Sequence, residues 1–127
     1  MFELFPTLVF VHFLFDVCLQ TPFISEHKGH SLYVMFVHVF VWTWAICAVI
    51  SLYSVLSRWI PVFLFVGHWA ADRYKIYLID KDFDENVETI DGLLSDNPDV
   101  SSRLRILFYS DQIWHLVQLI IVTIFAR

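Results

Sequence analysis

A chain of 127 residues that is 58% hydrophobic and 18% aromatic, with a mean hydropathy of +0.65, is too apolar for a soluble domain. Its formal net charge of -5 is uneven: eight of the thirteen acids fall between Asp80 and Asp99, which excludes nucleic acid as a partner of that stretch. The composition implies an all-α, polytopic membrane protein, a single transmembrane domain over residues 1–127 built as a bundle of four helices.

The first apolar segment runs from about residue 2 to 20 and is broken only by Glu3 and by His12, Asp16 and Gln20. Without a basic start, and with His12 and Asp16 in its apolar stretch, it reads as a spanning helix and not a signal peptide. Pro6 is tolerated in its first turns. Thr21 to His30, with Pro22 and Gly29 as breakers, reads as a short polar connection in which His27 and His30 are solvated.

A second helix is expected over residues 31–56, capped by Ser31, with Trp42 and Trp44 inside and Arg58-Trp59 beyond its end. Pro61 is expected to open a third helix reaching residue 79. Residues 80–103 form an acidic polar loop, within which Glu85 to Leu94 suits a short surface helix before an Asn97-Pro98 stop. Asp80, Asp82, Asp84 and Asp91 echo a calcium loop, but Glu85 stands where the turn requires glycine. A fourth helix follows over residues 104–125. Cys18 and Cys47 have no ligand spacing and read as apolar filler. Thirteen Phe and five Trp against three Gly suggest helices gripped by aromatic side chains.

Lysines and arginines set the expected orientation. Lys28, Lys81 and Arg103, with Arg73, Lys75 and Arg105 at neighbouring helix ends, lie on one side, against Arg58 and Arg127 on the other. The positive-inside rule then puts both loops in the cytoplasm and both termini outside the bacterial inner membrane.

The third helix carries the organising stretch, Gly67 to Lys75, in which His68, Asp72 and Lys75 fall within about 60° of one another at helical pitch. Similar polar stripes are His12/Asp16/Gln20, the lone His38, and Asp111/His115/Gln118. With four alternating spans, all seven His and Asp groups land roughly 5 to 17 Å below the cytoplasmic surface. An ionisable group at such depth costs about 2.5–3.5 kcal/mol, so this layer needs internal pairing or a metal. Imidazole and carboxylate suit zinc first, then manganese or iron. His12, Asp16, His38, His68, Asp72, Asp111 and His115 are enough ligands for a mononuclear or a dinuclear site. The alternatives are a metal-free network of Asp–His pairs and, less consistent with the carboxylates, a haem.

The ordered set His12-x-x-x-Asp16-x-x-x-Gln20-Thr21, Lys28, His38, Gly67-His68-x-x-x-Asp72-x-x-Lys75 and Asp111-Gln112-x-x-His115 resembles the small bacterial and phage membrane proteins grouped as domain of unknown function 3307. The resemblance covers nearly the whole chain, apart from the long acidic loop. It implies a distant similarity to inner-membrane metal-dependent hydrolases.

For a hydrolase of a lipid-linked phosphate or ester, Asp72 and Asp111 would act at the metal. Lys75 would clamp the anionic group, with Lys28 and Arg73 as further cations and Gln20 and Gln112 as hydrogen-bonding partners. Competing readings are a proton or metal-ion pathway, and a non-catalytic membrane subunit or host-modulating factor whose acidic loop meets a protein partner. Four short helices also suggest a homodimer.

Overall fold

The computed structural model describes residues 3–18, 21–27, 30–82 and 98–126, and among them the chain is helices and turns with no strand. The helices are α1 (Leu4–Phe13), α2 (Pro22–His27), α3 (Leu32–Tyr53), α4 (Trp59–Asp82) and α5 (Pro98–Phe125). Helix α1 continues directly into a π-helical turn, Leu14–Cys18.

Each departure from the expected boundaries has a local cause. The first segment changes pitch where an uninterrupted α-helix was expected, and π turns of this kind commonly mark functional positions. The connection after it contains α2, because Thr21 Oγ1 accepts from Ile24 N at 3.3 Å and Pro22 is pre-organised for a first helical position. Helix α3 starts where expected: Ser31 caps it, accepting from Val34 N. It ends at Tyr53, before an extended Ser54. Helix α4 begins two residues before Pro61, which sits in the first turn, where its missing N–H costs nothing. Pro98, read as a stop, instead begins α5, so the helix starts six residues earlier than expected. Gln20, Lys28, the Glu85–Leu94 stretch and most of the calcium-like pattern lie outside the described residues.

The four long helices form an antiparallel ring in which α1 packs on α3, α3 on α4, α4 on α5 and α5 on α1. Their interior has two layers. The apolar layer joins Leu4 and Leu8 to Ile46, Ile50, Ile60, Leu64, Leu119 and Val122. The second layer, toward the α2 end of the bundle, buries His12, Asp16, His38, His68, Asp72, Asp111, Gln112 and His115. Trp42, 1% exposed, separates the two, its ring 4.3 Å from that of His68. Meanwhile Phe10, Phe40, Trp44, Leu52, Val62 and Ile113 face outward. One interior layer is thus polar while large apolar side chains face outward.

Among the described residues two helices, Leu32–Tyr53 and Ser101–Phe125, are long and apolar enough to cross a membrane, where four were expected. The apolar part of the first segment, Leu4–Asp16, is short. Helix α4 carries three charges close together, Asp72, Arg73 and Lys75, which keep it from the apolar class.

Gly67 shows how closely α4 and α5 approach. A Cβ at this position would lie 2.0 Å from Gln118 Nε2, which donates to Phe63 O across the same interface at 3.2 Å. Gly67→Ala should therefore expel the Gln118 amide and lower stability by about 1–3 kcal/mol in thermal unfolding in detergent. Adding Gln118→Ala should recover most of the loss; an equal loss in the double variant would mean that the helices themselves clash.

Candidate metal centre

Each long helix sends side chains into one layer. Helix α1 supplies His12, the π turn Asp16, α3 His38, α4 His68, Asp72 and Lys75, and α5 Asp111, Gln112 and His115. The four histidines and three aspartates are all 5% exposed or less.

The widened π turn carries Asp16 across the bundle. Its Oδ1 lies 3.1 Å from His38 Nε2, and its Oδ2 accepts from Gln112 Nε2 at 3.1 Å. His38 Nε2 and His68 Nε2 are 3.3 Å apart. His68 Nε2 lies 3.6 Å from both Asp16 Oδ1 and Asp72 Oδ2, and His38 Nε2 is likewise 3.6 Å from Asp72 Oδ2. The same-helix contacts that a metal-free network would use are not hydrogen bonds: His68–Asp72 stands at 3.6 Å and His115–Asp111 at 3.9 Å.

These distances have a simple geometric meaning. Five separations among four atoms, from His38, His68, Asp16 and Asp72, run from 3.1 to 3.6 Å. Neighbouring ligand atoms around one zinc, at bonds of about 2.0–2.2 Å, lie roughly 3.4 Å apart. The buried His/Asp set is therefore of a size to hold a metal ion. The triads His12/Asp16/His115, Asp16/His38/His68 and His68/Asp72/His115 each bring ligand atoms within 4.8 Å of one another.

Charge gives a second measure. Lys75 Nζ donates to Asp111 Oδ2 at 2.5 Å and to Asp72 Oδ1 at 3.3 Å. With neutral imidazoles, this one ammonium against three carboxylates leaves a buried surplus of two negative charges, the complement of a single divalent cation. His115, fully buried, has no hydrogen bond to either ring nitrogen and stacks on His68 with ring centres 4.1 Å apart.

Of the remaining candidates, Arg73 is exposed and faces away from the cluster, because one residue beyond Asp72 is a 100° turn of the helix. Lys75, expected to clamp an anionic substrate, is committed to Asp72 and Asp111. His27 and His30 are exposed and stay outside the cluster. Gln112 joins it, whereas Gln118 belongs to the α4–α5 contact. Trp42 was not among the candidates, yet its indole N–H donates to His12 Nδ1 at 3.0 Å. Its position one helical turn after His38, on the same face, was the signal that could have found it.

The fold and site define a helical bundle that is apolar outside and carries a His/Asp constellation of metal-binding size in its core. The chain belongs to the family described as Protein of unknown function (DUF3307), whose pattern matches residues 4–127. No curated protein and no solved structure matches it.

Removing the only cation that the described residues bring to this cluster should be costly. Lys75→Met should destabilise the metal-free protein by about 3–5 kcal/mol at neutral pH, since Asp72 and Asp111 would be left without their ammonium. Lys75→Met/Asp111→Asn should regain most of that in chemical unfolding. No recovery would mean that Lys75 stabilises through its stem and not its charge.

Proposed function

We propose that this chain is an integral membrane protein that binds one divalent metal ion between its four long helices, with Asp16, His38, His68 and Asp72 as ligands. The observation that carries this reading is that five separations among those ligand atoms run from 3.1 to 3.6 Å, the spacing of neighbouring ligands around one small cation. Zinc is favoured over manganese, because a set of imidazole nitrogens and carboxylate oxygens suits zinc, whereas manganese favours oxygen-rich positions. The charge surplus of two favours one ion over a dinuclear pair. Membrane insertion is supported by the outward-facing aromatic and aliphatic side chains and by the two helices of spanning length. We place the layer near the cytoplasmic face of a bacterial inner membrane on the strength of the Lys and Arg distribution.

Four protein ligands close the coordination sphere, as in structural zinc sites; catalytic sites keep one position open. The reading is accordingly a metal that fastens the bundle. One observation favours the hydrolase of a lipid-linked phosphate or ester as a second reading. His115 lies buried beside the four ligands with both nitrogens free of hydrogen bonds, where a base for a metal-activated water would be placed.

Elemental analysis of protein purified in detergent without chelator is the direct test. About one zinc per chain is expected in the wild type and none in His68→Ala/Asp72→Ala; a well-folded wild type free of metal would refute the site, and two ions per chain would favour the dinuclear arrangement. Chelation should lower the melting temperature of the wild type and leave that of the double variant unchanged. Zinc-dependent cleavage of a lipid phosphate or ester, abolished in His115→Gln with the metal retained, would establish the second reading.

A further inference from the structure

Three buried side chains and the ligand Asp16 are joined end to end. Trp42 Nε1 donates to His12 Nδ1 at 3.0 Å, His12 Nε2 lies 3.0 Å from Gln112 Oε1, and Gln112 Nε2 donates to Asp16 Oδ2 at 3.1 Å. The run passes from α3 to α1, across to α5, and back to the π turn.

Its two ends are chemically unambiguous. An indole N–H can only donate, and an ionised carboxylate can only accept. Between them stand an imidazole and an amide, each able to donate on one side and accept on the other. A donor at the start and an acceptor at the finish leave one consistent arrangement: His12 bare at Nδ1 and protonated at Nε2, with the Gln112 carbonyl toward His12 and its NH2 toward Asp16. Reversing either residue would set two donors, or two acceptors, against each other in a buried site, and such a mismatch is costly there.

We infer that His12 is locked as the Nε2–H tautomer and serves as a positioning residue, acting through Gln112 on Asp16, and is not itself a metal ligand. One nitrogen accepts from Trp42 and the other carries the proton given to Gln112, so neither lone pair is available to an ion. The Gln112 N–H fixes Asp16 Oδ2, which leaves Oδ1 directed at His38 and His68. Asp16 thus offers the ion a single oxygen at a fixed angle. The inference rests on the metal reading for its effect on binding; the tautomer stands on the hydrogen bonds alone. Partners that orient a ligand in this way commonly change metal affinity by about 10–100-fold when removed.

The test is nitrogen-15 NMR of histidine-labelled protein in detergent micelles, with the His12 signals assigned by their loss in His12→Phe. Metal-free wild type should show His12 as the Nε2–H tautomer. Added zinc should move the ring nitrogens of His38 and His68 while His12 keeps its proton. Trp42→Phe and Gln112→Leu should each still bind one zinc, with affinity lowered about 10–100-fold in chelator competition. An Nδ1–H tautomer for His12, loss of its Nε2 proton on zinc binding, or wild-type affinity in both variants would overturn the inference. A wild type that takes up no zinc would refute the metal reading and leave the spectrum to decide the relay. If neither variant folds, the wild-type spectra with and without zinc decide it.

Discussion

Three carboxylates are buried in the middle of an apolar bundle, and the rest of the structure answers that fact. An isolated buried carboxylate is strongly unfavourable, so each must find positive charge, hydrogen-bond donors or a metal. Asp111 and Asp72 share Lys75, while Asp16 takes a hydrogen bond from Gln112 and faces His38. Because those partners come from different helices, satisfying the charges also fixes which helices adjoin and at what height. A bundle with so little polarity on its outer face gains its specificity from the inside. In lipid, greasy helix faces discriminate poorly between neighbours, whereas a misplaced carboxylate is heavily penalised.

Much of this was legible in the sequence. The spacing of His68, Asp72 and Lys75 gave one polar face on α4, and Asp111 with His115 gave another on α5; the depth argument put them, with Asp16 and His38, in one layer. Helix periodicity carries such information because it depends only on neighbouring residues. What it does not carry is pairing. In a metal-free network His68 and His115 would bond the aspartate on their own helix, but the distances of 3.6 and 3.9 Å are too long for that. Lys75 at a helix end reads equally well as a snorkelling side chain, and only the packing of α4 against α5 commits it to Asp111.

The other misreadings share a cause. Pro22, Pro61 and Pro98 were read correctly as punctuation but not always with the right sign, since a proline stops a helix behind it and starts one ahead of it by the same fixed φ. The π turn at Leu14–Cys18 has no residue signature at all. It is selected by what Asp16 must reach, a tertiary requirement written on α3 and α5. Trp42 was legible as an interior aromatic and illegible as a hydrogen-bond donor, because its acceptor lies thirty positions away on α1.

The sequence distance between partners also sets a schedule. Gln112, which holds Asp16, lies 96 positions later in the chain, and a chain grows at about 5–20 residues per second. For roughly 5–20 s after Asp16 is made, its eventual donor does not exist. Through that interval Asp16 can meet His38, 22 positions on, but its second oxygen lacks the amide that will hold it. The α1 segment is short, and Asp16 lies in the π turn beyond its C-terminal end, clear of the apolar layer. Closure of the layer is thus a late event in biogenesis, and the π turn is the joint at which the waiting segment and the finished bundle meet.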